Sequence, residues 1–337
     1  MRVCDWIAEY LWAQGVQNVY GIMGGGAAGL NDGFIKQGKI QYRCFHHEQG
    51  AAHAAIGEAK LTRRVAVVNP TTGCAGTNCA TSVLNAWQDS IPVLFLSGNV
   101  RLDTCSGHIN RQKGINIRKY GIQEHHVVDT YRTITKYAEF VTRPEDVPLA
   151  IQYALHAAQT GRPGPVWVDI PGNIQTAVMP ETYREYTGPF ESLKNSIDYH
   201  KLDTTLQLAE RPVVLAGYGI RQSNTVDEFV EFIEKYQLPF VSTFGGRDYT
   251  PSNHPLSIGA VGIKGSRAGN FAMTNADLLL VLGSSLGGSV IGYNPGQFSP
   301  ASYKIVVDVD ASELQKDIVK IDQKINIDLK KFFGAML

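Results

Sequence analysis

The stretch CFHHEQGAAHAAIGEAKL, residues 44–61, passes from an extended segment into a helix that opens on Glu48 and is packed with Gly50, Ala51, Ala52, Ala54, Ala55 and Gly57. Small side chains over most of a helix let another backbone come very close, which suits a tightly built site or a contact between subunits. An acid at a helix start has an ordinary explanation in the helix dipole, worth roughly 0.3 to 1 kcal/mol. What Glu48 does must therefore be read from its neighbours.

Upstream, GIMGGGAAGLND (residues 21–32) carries Gly24-x-Gly26-x-x-Gly29 after an apolar stretch, Val16 to Ile22, that reads as a strand. Glycines so spaced cradle a dinucleotide pyrophosphate, with a ribose-binding acid about 20 residues further on, and Glu48 stands near that distance. A nicotinamide-dependent oxidoreductase is thus one reading, resting on the glycine spacing alone.

Further outward, helical and extended patterns alternate through residue 172. A helix is expected near 4–14, strands into Gly21 and over 40–45, a helix from Glu48, strands over 65–69 and 93–97, a helix over 144–159 and a strand over 166–170. Such alternation predicts a parallel sheet with helices on both faces. Residues 173–195 lose periodicity and gain proline, glycine and polar residues, as a surface-crossing linker does. A second alternation follows, with strands over 212–216, 240–243, 278–283 and 304–309 and a helix over 226–236. The expectation is an α/β protein of two domains, 1–172 and 196–337, each a mainly parallel sheet with helices on both faces, joined by 173–195.

A chain of 337 residues with 44% hydrophobic content fills two such cores. Thirty-one basic residues balance thirty-one acidic ones, so no overall field draws it to nucleic acid or an anionic membrane. A small-molecule or protein partner is expected instead. The first residues lack the basic, apolar, small order of a signal peptide, and the apolar stretch 278–293 is too short and too rich in glycine and serine to span a bilayer. A soluble, cytoplasmic protein is expected. The five cysteines all fall within the first 105 residues without a CxxC pair, which argues against a disulfide framework or zinc site and for reduced, mostly buried thiols. His46, His47, His53, His125 and His126, even with Cys44 and Glu48, lack the spacing of a recognised metal centre.

Several stretches now fall into place around HEQGAAHAA: TTGCAGTN (71–78), NAWQDSIPVLFLSGNV (85–100), GIQEHHVVDTYRTITKYA (121–138) and TGRPGPVWVDIP (160–171). Together they resemble the pyrimidine-binding domain of the thiamine diphosphate enzymes, most closely the acetolactate-synthase-like group. RPVVLAGYGI, HPL at 254–256, GAVGIKG, NADLLLVLG and VVDVDASEL continue the likeness in the order of that family's Rossmann-like central domain. The resemblance covers nearly the whole chain.

The resemblance implies thiamine diphosphate as cofactor and a 2-keto acid such as pyruvate as substrate. The cofactor reacts through a carbanion at its thiazolium ring, and the protein raises the concentration of that species. Glu48 occupies the position of the family's glutamate that hydrogen-bonds the aminopyrimidine, a task suited to a dry pocket. Gln123 matches a glutamine near the reacting atoms; a capping or surface amide is the alternative. Ile22, Met23 and Gly24 match the family's Tyr-Pro-Gly turn, and Thr71, Cys74 and Asn78 its Thr-Ser-Gly-Pro-Gly-x-Thr-Asn loop. Met23 and Cys74 replace prolines, from which looser loops are expected.

The family holds the diphosphate through magnesium, using a Gly-Asp-Gly and a later Asn-Asn in a third domain; neither occurs in these 337 residues. Magnesium takes oxygen ligands from carboxylates and phosphates, so that end of the cofactor is expected to be held by a domain not in this chain. A homodimer or higher oligomer, or a partner chain supplying that domain, is implied. Flavin-binding members hold FAD in the central domain; here Ile263 and Lys264 stand where they usually have Met-His, and 283–285 lacks their Arg, so FAD stays open. The alternative to a carboligase is a noncatalytic or truncated interaction subunit that pairs with a full-length relative.

Overall fold

The computed structural model describes residues 1–188 and 198–337. The chain divides into two compact units, Met1–Phe190 and Glu191–Leu337. Residues 189–195 of the expected linker lie outside the described residues.

In the first unit, β1 (Asn18–Gly21), β2 (Gln41–Cys44), β3 (Ala66–Asn69), β4 (Val93–Asn99), β5 (Tyr137–Phe140) and β6 (Val166–Pro171) form one sheet in the order β2-β1-β3-β4-β6-β5. All pairings are parallel. The inner strands β3, β4 and β6 are buried at every residue, as a sheet covered on both faces requires. Around it lie α1 (Val3–Ala13), α2 (Ala28–Gln37), α3 (Glu48–Thr62), α4 (Cys74–Thr77) and α5 (Ala80–Gln88). In α3, Ala51, Ala52, Ala55, Ile56 and Ala59 are buried, while Gly50, His53 and Gly57 face outward.

From β1 the chain crosses to one side to form β2, then returns to the other side for β3. The strand order therefore switches between β1 and β3, and open α/β sheets bind ligands in the crevice outside the carboxyl ends at such a switch. The loops after these two strands, and the helix start after β2, are the ones that carry the residues singled out in the sequence.

The first part of the expected linker is not a surface crossing. Gln175 is fully buried; its amide donates to the carbonyls of Gly26 and Ile170, both at 2.7 Å, and accepts from the N–H of Leu30 at 3.2 Å. Val178 pairs with Arg2 in a β-bridge, and Val3 N–H donates to Ala177 at 2.9 Å. One amide satisfying three backbone groups anchors residues that lack apolar periodicity, so 173–178 belong to the first unit's packing.

In the second unit, β7 (Pro212–Ala216), β8 (Phe240–Ser242), β9 (Ser257–Ala260), β10 (Leu278–Leu282), β11 (Tyr303–Asp308) and β12 (Gln323–Asn326) form a parallel sheet in the order β12-β11-β10-β7-β8-β9. Read from its other edge, this is the strand order of a dinucleotide-binding sheet, with the switch between β7 and β10. Its core includes Phe229 and Phe232 of the helix Val226–Lys235, packed against Phe332 and Phe333 of the helix Leu329–Met336. Among the described residues no helix is long and apolar enough to cross a membrane.

Candidate functional site

Glu48 is the first residue of α3 and only 8% exposed. The helix starts here because His47 is extended and its Nδ1 accepts from the N–H of Gln49 at 3.2 Å, a side-chain cap on a free first-turn donor. One carboxylate oxygen, Oε2, accepts from the side-chain amide of Asn78 at 2.9 Å. The other, Oε1, accepts no hydrogen bond from the described residues. Around this carboxylate, burial and then the charges of Cys44 and Glu48 push up the Tyr42 hydroxyl. Burial and then Glu48 likewise push up the Cys79 thiol. Both groups stay protonated beside it.

The loops after β1 and β3 close on one another through glycines. A Cβ on Gly24 would lie 2.5 Å from the Thr71 side chain, one on Gly26 would lie 1.5 Å from Thr72 Oγ1, and one on Gly29 would meet Gln175 at 2.9 Å. Thr71 Oγ1 also accepts from the N–H of Ala27 at 3.3 Å. Each glycine of the 24-26-29 spacing is thus explained by a protein neighbour. Beneath them, fully buried Asn69 accepts from the Tyr42 hydroxyl at 3.2 Å and donates to Leu96 at 2.6 Å, fixing the end of β3.

Gln123 is exposed, with a left-handed backbone (φ 55°), and its side chain has no hydrogen-bond partner among the described residues. Its carbonyl oxygen lies where a Cβ on Gly73 would come within 1.7 Å, and Gly73 itself has φ +54°. Only glycine fits there, since an L-residue meets both the clash and the left-handed penalty. The Gln123 loop and the loop after β3 therefore meet backbone to backbone.

The structure accordingly joins the sequence-predicted residues as Glu48 with Asn78 and Gly24 with Thr71, and brings Gln123 against Gly73. Ile22 is half-buried, and Met23 and Cys74 are exposed at the same end of the sheet. Glu48 and Gln123 make no hydrogen bond with each other. Sequence reasoning assigned no role to Gly73, although TTGCAGTN contained it, because its positive φ is not visible in composition. It also passed over Asp169, fully buried on β6 and accepting from Ser97 Oγ at 2.7 Å and Asn99 Nδ2 at 2.8 Å.

In the second unit, the glycine turn after β7 is already engaged. The N–H groups of Gly217, Gly219, Ile220, Arg221 and Gln222 all donate within the protein, and the Gly217 carbonyl accepts from the Tyr249 hydroxyl at 2.8 Å. A Cβ on Gly217 or Gly219 would lie 2.1 or 2.7 Å from the backbone of Gly283. The helix that follows, Gly219–Gln222, is one turn long. With these five donors already used, the turn offers little to a dinucleotide pyrophosphate, which is bound by free N–H groups at a helix start.

Comparison with known proteins fits this geometry. The family described as thiamine pyrophosphate enzyme, N-terminal TPP binding domain, matches residues 1–129, and thiamine pyrophosphate enzyme, central domain, matches residues 200–336. The acetolactate synthase large subunit of Lactococcus lactis subsp. lactis is 35% identical over 98% of this chain and 56% of its own length. The acetolactate synthase isozyme 1 large subunit of Escherichia coli K12 is 33% identical over 93% of this chain and 53% of its own length. The probable acetolactate synthase large subunit of Methanocaldococcus jannaschii is 29% identical over 94% and 53%. The chain spans about half the length of the curated relatives it matches.

Proposed function

The chain belongs to the thiamine pyrophosphate enzyme family, and from that premise we propose that it forms the pyrimidine-binding and central portion of an acetolactate-synthase-like carboligase acting on 2-keto acids. The observation that carries the reading is Glu48: a buried carboxylate at a sheet switch point, with one oxygen held by Asn78 and the other without a hydrogen bond among the described residues. That oxygen suits the ring nitrogen of an aminopyrimidine, so these residues fit the cofactor's pyrimidine end.

When bound, thiamine diphosphate supplies a nucleophilic carbon for addition to a keto acid and takes up the electrons released with carbon dioxide. Glu48 holds a proton at the pyrimidine nitrogen and passes it to and fro, with Asn78 fixing the orientation of its carboxylate. Ile22, Met23 and Gly24 on one loop and Thr71 and Cys74 on the other line the crevice mouth. Gln123, whose side-chain amide has no partner among the described residues, orients the keto acid. Positioned groups of this kind contribute by proton transfer and by holding reactants in register.

The diphosphate and its magnesium are assigned in this proposal to a region outside these 337 residues, in the same protein or in a partner, within a homodimer or larger assembly. The acceptor of the two-carbon unit is proposed as pyruvate, giving acetolactate and feeding branched-chain amino acid synthesis. No flavin enters the proposal, because five N–H groups of the turn after β7, those of Gly217, Gly219, Ile220, Arg221 and Gln222, already donate within the protein. The test is carbon dioxide release from pyruvate by the assembly that supplies the diphosphate-binding region. Wild type releases it and Glu48→Gln does not; release indifferent to Glu48 overturns the reading.

A further inference from the structure

Between β4 and the helix Val127–Tyr131 the chain leaves the sheet for some two dozen residues and comes back carrying Gln123. Its one α-helix, Ser106–Lys113, buries no residue, so apolar packing does not hold that helix in place. Polar side chains do. Glu124 accepts three backbone N–H groups: Ser106 on Oε2 at 2.6 Å, and Tyr120 and Gly121 on Oε1 at 2.6 and 3.2 Å. Asn110 closes the loop between them, donating to the carbonyl of Ile117 at 2.8 Å and accepting from its N–H at 2.9 Å. From the sheet, Asn99 donates to the carbonyl of His125 at 3.3 Å while also bonding Asp169.

We propose that Glu124 is the positioning residue for Gln123: by gathering the N–H groups of Ser106, Tyr120 and Gly121 it fixes the excursion in the one shape that lays the left-handed Gln123 peptide against Gly73. Glu124 follows Gln123 directly, so a carboxylate anchored at three points sets the direction of the peptide before it. Tyr120 and Gly121 lie just ahead of Gln123, which is thereby pinned on both sides. A carboxylate is suited to this because it is acceptor-only and serves several donors at once. The functional meaning rests on the reading of Gln123 as the group that orients the keto acid; the geometry does not.

The test uses Glu124→Gln and Glu124→Asp in the full chain. Amide exchange reports the three N–H bonds, and the ¹³Cα and ¹³Cβ shifts of Gln123 report its left-handed backbone. Glu124→Gln, which sets an amide donor among N–H groups, is expected to speed exchange of Ser106, Tyr120 and Gly121 about ten- to a hundredfold, the loss associated with a charged hydrogen bond. It is also expected to move the Gln123 shifts off their left-handed values, while Glu124→Asp retains part of both. Faster exchange with unchanged Gln123 shifts would show that Glu124 only caps the helix and would overturn the proposal; so would no change in either. Failure of the Gln123 reading shows separately, as a keto-acid KM unaltered by Gln123→Ala in the assembled enzyme.

Discussion

The side-chain amide of Asn78 donates to Oε2 of Glu48 at 2.9 Å, tying the loop after β3 to the first turn of α3. Asn78→Ala leaves a nearly buried carboxylate oxygen without its donor, at an expected cost of ~1–3 kcal/mol. Asn78→Asp sets a second carboxylate beside the first. Two carboxylates so close cannot both ionise without cost, so one folded-state pKa rises above its unfolded value. The penalty is then small in acid and grows as pH rises. Urea denaturation of both variants between pH 4 and 8 measures this; a pH-independent loss in Asn78→Asp would contradict it.

Gly73 and Gly57 should respond oppositely to alanine. At Gly73 the new Cβ meets the Gln123 carbonyl at 1.7 Å on a left-handed backbone, so a loss of at least ~2 kcal/mol is expected from the conformational penalty and overpacking together. At Gly57, on the outer face of α3, a Cβ meets nothing within 4 Å. There the better helix propensity of alanine should add ~0.5–1 kcal/mol. Thermal melting of the two variants decides it, and a neutral Gly73→Ala would show that the two loops are not in contact.

Asp169 gives a pH dependence with a definite sign. Burial lifts its carboxyl from 3.8 to about 6, with the hydrogen bonds from Ser97 and Asn99 pulling the other way. Between those values the folded chain binds more protons at this residue than the unfolded chain. Its contribution to stability therefore declines as pH rises from about 4 to about 6 and is level on either side. The stability of wild type minus that of Asp169→Asn, from urea denaturation at a series of pH values, should fall through that window. A difference that stays flat from pH 4 to pH 8 would refute the assignment.

Much of this architecture was legible because parallel sheets bury both faces of their inner strands. VVLA at 213–216 and LLLVL at 278–282 are unbroken apolar runs, and Glu48 opens a helix where an extended segment ends. The edge strands β5, β9 and β12 escaped notice because they are four residues long and partly exposed, leaving neither an apolar run nor a clean alternation. Gln175 escaped for the opposite reason: a glutamine reads as surface, yet this one sits at 0% exposure because its amide serves three backbone groups. The spacing Gly24-x-Gly26-x-x-Gly29 misled in an instructive way. A glycine pattern records only that something comes close, and here the close neighbours are Thr71, Thr72 and Gln175. In the same way, the helix start identified Glu48, while its partner Asn78, thirty residues on, could be joined to it only through the resemblance or the fold.

The central claim is that Glu48 activates the pyrimidine end of thiamine diphosphate, and exchange of the cofactor's thiazolium C2 proton with deuterated water reads this most directly. With the assembly that supplies the diphosphate-binding region, at saturating cofactor and magnesium, ¹H NMR should show wild type exchanging that proton at least ~100-fold faster than Glu48→Gln, in the range of positioned acid–base catalysis. Equal exchange by the two proteins at equal cofactor occupancy would contradict the account.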